Sequence, residues 1–229
     1  MNHASLAERL AEVDARIADA AMAAGRDPRA LTRIVVTKFH PASLVDELYA
    51  LGVRDVGENR QQELTEKQRA VGEHEGLAWH FIGQAQTNKA RAIRAAASVV
   101  HSVDRARLAT ALDAAGEGMP RLDVLLQVNL TDDPGRGGVA PDGLEELATH
   151  TAGCPTLRVR GVMGVAPLDE PPTPAFERLA VCSERLRAVV PDATWISAGM
   201  TADFAEAIAA GATHLRIGSA ITGPRPAHG

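Results

Sequence analysis

Short apolar, β-branched runs alternate with longer stretches of helical periodicity along nearly the whole chain. Strand-like runs fall at residues 34–38, 53–56, 78–82, 98–101, 124–128, 157–162, 194–197 and 213–217. Helical patterns lie between them, near 43–51, 61–69, 89–97, 105–115, 144–152, 175–190 and 202–209. Ser43, Asp104, Asp142 and Thr201 stand where helix N-caps are expected, and Gly52, Gly116, Gly153 and Gly211 where helices should stop. Before the first strand, residues 4–24 place Leu6, Leu10, Val13 and Ile17 at helical spacing among charged neighbours, which predicts an amphipathic helix.

Repeated strand-then-helix units imply parallel strands with right-handed crossovers. Eight such units predict an α/β fold, a single closed (β/α)8 barrel of TIM type with an extra N-terminal helix. The competing architecture is an open doubly wound sheet. Against it, the first strand is not followed by a G-x-G-x-x-G turn, and the strand ends at Gly57 and Gly83 lack that spacing. The alternation runs unbroken past the proline-rich segment 167–174, so that segment reads as a surface loop within one domain spanning 1–229. The glycine-rich stretch 131–141 reads as a mobile loop on the face that carries the first strand's C-terminal end.

Composition narrows the function classes. Aromatic residues make up only 3% of 229, so the core must be aliphatic. A net charge of −5 argues against general nucleic-acid binding. Cys154 and Cys182 lie far apart without metal-ligand spacing, which fits a reduced, cytoplasmic protein. No uncharged apolar run reaches membrane-spanning length and no signal peptide is evident. A monomer is the default oligomeric expectation. There is no Ser/His/Asp order, metal cluster or Walker-type loop.

The candidate chemistry collects at predicted C-terminal strand ends, where barrels build their sites. Lys38 closes an otherwise apolar run, Arg33-Ile34-Val35-Val36-Thr37-Lys38. Two readings stand: a lysine that snorkels to solvent, or an amine whose pKa burial lowers so that it attacks a carbonyl. Ser197-Ala198-Gly199-Met200-Thr201 joins a strand to a helix, and Arg216-Ile217-Gly218-Ser219 ends the next strand. Glycine, hydroxyls and helix N-termini there suit an anion such as phosphate, as at the last two loops of many barrels. The plainer reading makes Thr201 a cap and Gly218 a turn. Arg216 should point into the barrel mouth, toward an acceptor or an acidic partner. His80, His101 and His214 on strands are more readily structural hydrogen-bonding groups than catalysts. Asn59 in Gly57-Glu58-Asn59 reads equally as a helix cap.

A lysine on the first strand with a phosphate cradle on the last two suits pyridoxal phosphate held as a Schiff base. Val36-Thr37-Lys38, Gly57-Glu58-Asn59, Trp79-His80-Phe81-Ile82-Gly83, Gln86-Thr87-Asn88-Lys89, Ser197-Ala198-Gly199-Met200-Thr201 and Arg216-Ile217-Gly218 together resemble the pyridoxal phosphate homeostasis proteins. That barrel family is related to the N-terminal domain of alanine racemase, and the likeness runs in order from Leu6 to Pro224. The resemblance implies that Lys38 carries the cofactor and that Ser197, Gly199, Met200, Thr201, Gly218 and Ser219 surround its phosphate. It puts Arg216 at the pyridine nitrogen, disfavouring the protonated ring that acts as electron sink. It also puts Asn59 near the ring hydroxyl and His80 near the ring. Arg60, Gln84-Ala85 and Thr222 depart from the usual pattern, which bears on packing around the site.

Three function classes follow. The first is a carrier that buffers pyridoxal 5'-phosphate in vitamin B6 homeostasis and delivers it to dependent apoenzymes, with no turnover of its own. The second is an amino-acid racemase-like enzyme using the same cofactor. A racemase needs a second base on the opposite ring face, supplied in alanine racemase by a further domain for which a chain ending at Gly229 has no room. Lys89 and Arg136 on the open face leave weak side activity conceivable. The third, a Schiff-base aldolase, usually carries its lysine on a later strand. The carrier is the expectation carried forward.

Overall fold

A computed structural model describes residues 4–224. Helix α1 (Leu6–Ala23) opens on a capping box, in which Ser5 and Glu8 satisfy each other's backbone N–H. Its buried stripe of Leu10, Val13, Ile17 and Ala21 packs on the helices that flank the last strand. The chain then alternates: β1 (Thr32–Val36), α2 (Ser43–Ala50), β2 (Asp55–Glu58), α3 (Gln61–Val71), β3 (Ala78–Phe81), α4 (Ala90–Ala96), β4 (Val99–Val103), α5 (Ala106–Ala114). It continues with β5 (Leu122–Gln127), α6 (Leu144–Ala152), β6 (Leu157–Met163), α7 (Pro172–Val189), β7 (Trp195–Ser197), α8 (Phe204–Ala209), β8 (His214–Ile217) and α9 (Ser219–Thr222). The strands pair in parallel in sequence order and β8 closes on β1, so the predicted closed barrel is the observed one.

Alternation along the strands sends their side chains to two separate layers. Outward-facing Val35, Val56, Phe81, Val100, Val124, Leu126, Val162, Leu215 and Ile217 join the helices in one aliphatic core. Inside the barrel, Val99, Leu125 and Met163 form a small apolar cluster against Trp195. Ile34 and Val36 of β1 also face inward, and the inward-facing His80, His101, His214, Ser197 and Arg216 are polar and buried.

Several local expectations shift. Strand β1 ends at Val36, so Lys38 stands two residues beyond it rather than closing it, although Thr37 N–H still reaches Gly57 O at 3.0 Å. Strand β2 begins at Asp55, two residues later than the apolar run suggested. Ser43 lies inside α2, Asp142 inside a 3-10 turn (Pro141–Gly143), and Asp104 just before the Arg105 cap of α5. None of the three caps a helix, because the chain enters each through a turn or another residue. Part of the proline-rich segment is helical: α7 starts at Pro172, where a missing N–H costs nothing. The loop 131–141 holds a short 3-10 turn (Pro134–Arg136), and Asn129 ties its start by accepting from Thr131 N–H at 2.9 Å.

Candidate functional site

At the C-terminal mouth of the barrel, β1 lies between β2 and β8, with Val36 level with Gly57 and Val35 with Ile217. Lys38 therefore rises between the Glu58-Asn59 strand end and the Gly218-Ser219 turn. The contact on the β8 side is close, since a Cβ on Gly218 would sit 3.6 Å from Val36 Cβ. Lys38 is half-buried, and its amine makes no hydrogen bond or ion pair among the described residues.

Both neighbours of Lys38 are pinned. Thr37 Oγ1 donates to Glu58 Oε1 at 2.5 Å, and Lys67 Nζ donates to Thr37 O at 2.7 Å and to Glu58 Oε1 at 2.6 Å. Phe39 adopts φ +68°, a left-handed conformation costly for an aromatic residue, and its N–H donates to Glu63 Oε2 at 2.9 Å. Burial pushes the Glu58 carboxyl up, opposed by the Lys67 ammonium and the Thr37 hydroxyl. Sequence reasoning passed over Glu58 as part of a cap and missed Glu63 and Lys67. The available signal was a cation, Lys67, on the buried face of α3 beside Leu64.

Asn59 does not cap α3, which opens on Arg60 without a side-chain cap. Its Oδ1 is buried without a partner, and Asn59 lines a cavity of about 370 Å³ with Gln84, Gln86 and Lys89. No side chain fits at Gly83, where a Cβ would come within 1.8 Å of the Asn59 carbonyl oxygen. That close approach explains the glycine after β3.

Across the mouth, the β7 and β8 ends interlock. Arg216 N–H donates to Gly199 O at 2.9 Å, and the Arg216 guanidinium donates to Ser197 Oγ at 2.6 Å and to Gly164 O at 2.9 Å. Burial lowers the Arg216 pKa to about 10, which leaves it cationic at neutral pH. Gly199 has φ +89°, and a Cβ there would lie 2.8 Å from Ala207 Cβ. Thr201 is not a helix cap: α8 begins three residues later, at Phe204, after a turn in which Asp203 Oδ1 accepts from Met200 N–H at 2.6 Å. Helix α9 follows Gly218 directly, so the Ser219 end presents first-turn N–H groups. The hydroxyls of Thr201 and Ser219 have no partner among the described residues.

Two expected site residues belong to a deeper layer. Ser197 is fully buried, its hydroxyl engaged by His101 Nδ1 at 2.9 Å and by Arg216. His80 is 2% exposed, and its ring nitrogens meet His101 Nε2 and Asp55 Oδ1, each at 2.9 Å. It therefore stands beneath the mouth, against the expectation that it borders a ligand there. The strand alternation that makes position 80 inward-facing also sets it level with Gly57, below the strand ends. Lys38, Asn59, Gly199, Met200, Thr201, Gly218 and Ser219 are brought together at the mouth, with Arg216 at its floor.

Comparison with known proteins shows the family. Residues 11–226 match the family described as "Alanine racemase, N-terminal domain". The chain is 42% identical over 228 residues to the pyridoxal phosphate homeostasis protein of Pseudomonas aeruginosa, covering 96% of each. It is 39% identical to the Escherichia coli protein of the same name, covering 96% of this chain and 97% of that one. The solved structure of PipY from Synechococcus elongatus with pyridoxal phosphate bound superposes with a TM-score of 0.84 at 33% identity, over 95% of this chain and 99% of that one. The chain belongs to the pyridoxal phosphate homeostasis protein family, built on the barrel of the alanine racemase N-terminal domain.

Proposed function

We propose that the protein binds pyridoxal 5'-phosphate at the C-terminal mouth, tethers it reversibly on Lys38 and passes it to apoenzymes that depend on it, without turning over a substrate of its own. The observation that carries this reading is an amine without a partner among the described residues, held between two pinned residues, opposite a cationic floor at Arg216. The residues fit the cofactor on independent grounds. The orphaned Asn59 Oδ1 offers an acceptor to a ring hydroxyl. The hydroxyls of Thr201 and Ser219, unpaired among the described residues, with the first-turn amides of α9, suit a phosphate dianion.

When bound, pyridoxal phosphate supplies an aldehyde carbon that a neutral primary amine attacks. Lys38 provides that amine. Arg216 is a donor-only group that disfavours protonation of a facing ring nitrogen and so works against carbanion chemistry. The names of the full-length relatives support homeostasis over catalysis.

Borohydride reduction followed by peptide mass spectrometry tests the tether. The expected product is a pyridoxyl group on Lys38, with the absorption band at the edge of the visible lost in Lys38→Ala. A label on Lys89 instead, or an unchanged band in the variant, overturns the assignment. Deuterium exchange at Cα of alanine at a substantial rate would overturn the carrier reading.

A further inference from the structure

Five buried or half-buried groups, starting from Arg216 at the floor of the mouth, form one continuous chain through the barrel. Arg216 guanidinium donates to Ser197 Oγ at 2.6 Å, and Ser197 Oγ lies 2.9 Å from His101 Nδ1. His101 Nε2 is 2.9 Å from His80 Nδ1, and His80 Nε2 is 2.9 Å from Asp55 Oδ1. Asp55 starts β2 at the opposite, N-terminal mouth; its side chain is 31% exposed and borders a cavity of about 380 Å³ with Asp14, Arg33 and Arg54. The chain thus runs from solvent at one end of the barrel to the floor of the candidate site at the other.

For neutral imidazoles, the two ends set the direction of every link. A guanidinium only donates and an ionised carboxylate only accepts. With Asp55 accepting, His80 carries its proton on Nε2 and leaves Nδ1 bare. His101 must then donate from Nε2, which leaves its Nδ1 bare to accept from the Ser197 hydroxyl. Ser197 in turn has a lone pair free for Arg216. Each donor then finds one acceptor, with both imidazoles in their neutral form. Burial opposes a charge on His101 most strongly, and the Arg216 guanidinium opposes it further. The opposite polarity would turn a bare nitrogen of His80 toward the Asp55 carboxylate.

We propose that Asp55, His80, His101 and Ser197 act as positioning residues, a polarised hydrogen-bond relay that fixes the Arg216 guanidinium in the site from the far end of the barrel. The effect on ligand rests on the proposed function; the polarity of the relay does not.

Long-range ¹H–¹⁵N spectra of histidine-labelled, cofactor-free protein at about pH 7.5 read the tautomers directly. The expected result is Nε2–H for both His80 and His101. A Nδ1–H tautomer or an imidazolium at either position overturns the relay. Asp55→Ala should abolish the single tautomer of His101, two links away from Asp55, whereas Asp55→Asn keeps an acceptor oxygen and should retain it. Circular dichroism confirms that both variants are folded. Titration with pyridoxal phosphate should show about a tenfold weaker Kd for Asp55→Ala, the scale of one lost hydrogen bond. A changed tautomer with unchanged Kd overturns the positioning role while leaving cofactor binding intact. Absent binding in the unmutated protein sinks the proposed function instead.

Discussion

The two faces of the same eight strands are built on opposite chemistry. Outside, between strands and helices, the core is a continuous aliphatic layer whose only requirement is to be filled. Inside, a few apolar residues and Trp195 share the space with a histidine-rich network in which each polar atom needs a particular partner. The outer layer tolerates exchange among similar volumes, whereas the inner one specifies orientation. Polar groups also enter the outer layer where it nears the mouth. There Glu58 and Lys67 are buried between β2 and α3 and hold the backbone that carries Lys38. The contrast therefore follows proximity to the site more than the side of the strand.

Breaking that outer intrusion should have the largest effect. Lys67→Met removes the ammonium but leaves the Glu58 carboxyl buried with Thr37 Oγ1 as its remaining donor. An uncompensated buried charge costs about 4 kcal/mol, readable as a lower midpoint in urea unfolding. Pairing it with Glu58→Leu should recover most of the loss, because two apolar groups need no partners. If the single variant is as stable as the parent, the ion pair does not hold this corner together.

An ordinary outer-layer position gives the reference. Leu112 on α5 is fully buried in the aliphatic core. Leu112→Ala should cost about 3 kcal/mol through lost burial and the cavity left behind. Unfolding at pH 7 and at pH 5 should show the same decrement, since the aliphatic neighbours of Leu112 do not titrate. A decrement that changes with pH would mean that the two layers are coupled.

How much of this was legible in the sequence follows the same division. Periodicity reports burial, so the eight strand–helix units, the closed barrel and the N-terminal helix could be read from spacing. The mouth was legible through Lys38, Gly199, Arg216 and Gly218, because a cation or glycine at the end of an apolar strand is out of place. Pairing across the barrel was not. Asp55–His80 spans 25 positions and His101–Ser197 spans 96, and no local pattern records which inward side chain meets which. Lys67 escaped for a related reason, since its partner Glu58 lies on another element and a lysine on a helix is ordinarily solvated. Helix starts were displaced wherever a turn such as Thr201–Asp203 intervenes before the first hydrogen-bonded turn.

The inner layer should reveal itself through acid sensitivity, the smallest of the expected effects. His214 sits within the barrel beside Trp195, 4.3 Å between ring centroids, and its Nδ1 meets Thr213 Oγ1 at 2.8 Å. Burial, reinforced by His80, Arg160 and Arg216 and opposed by Asp55, lowers its pKa to about 3. The folded value lies below the unfolded one, so the unfolded chain binds the proton first as pH falls. The stabilisation is present above about pH 6.5 and is lost progressively toward pH 3. Between pH 7 and pH 5 that loss is about 2 kcal/mol for one histidine. His101, lowered in the same direction by burial, His80, Arg216 and His214, adds to it. Urea unfolding at the two pH values should therefore show a smaller acid loss in His214→Gln than in the parent, by about 2 kcal/mol. Equal losses in the two proteins would mean that His214 does not resist protonation in the folded barrel. The acid sensitivity would then have to be traced to other groups, His101 first among them.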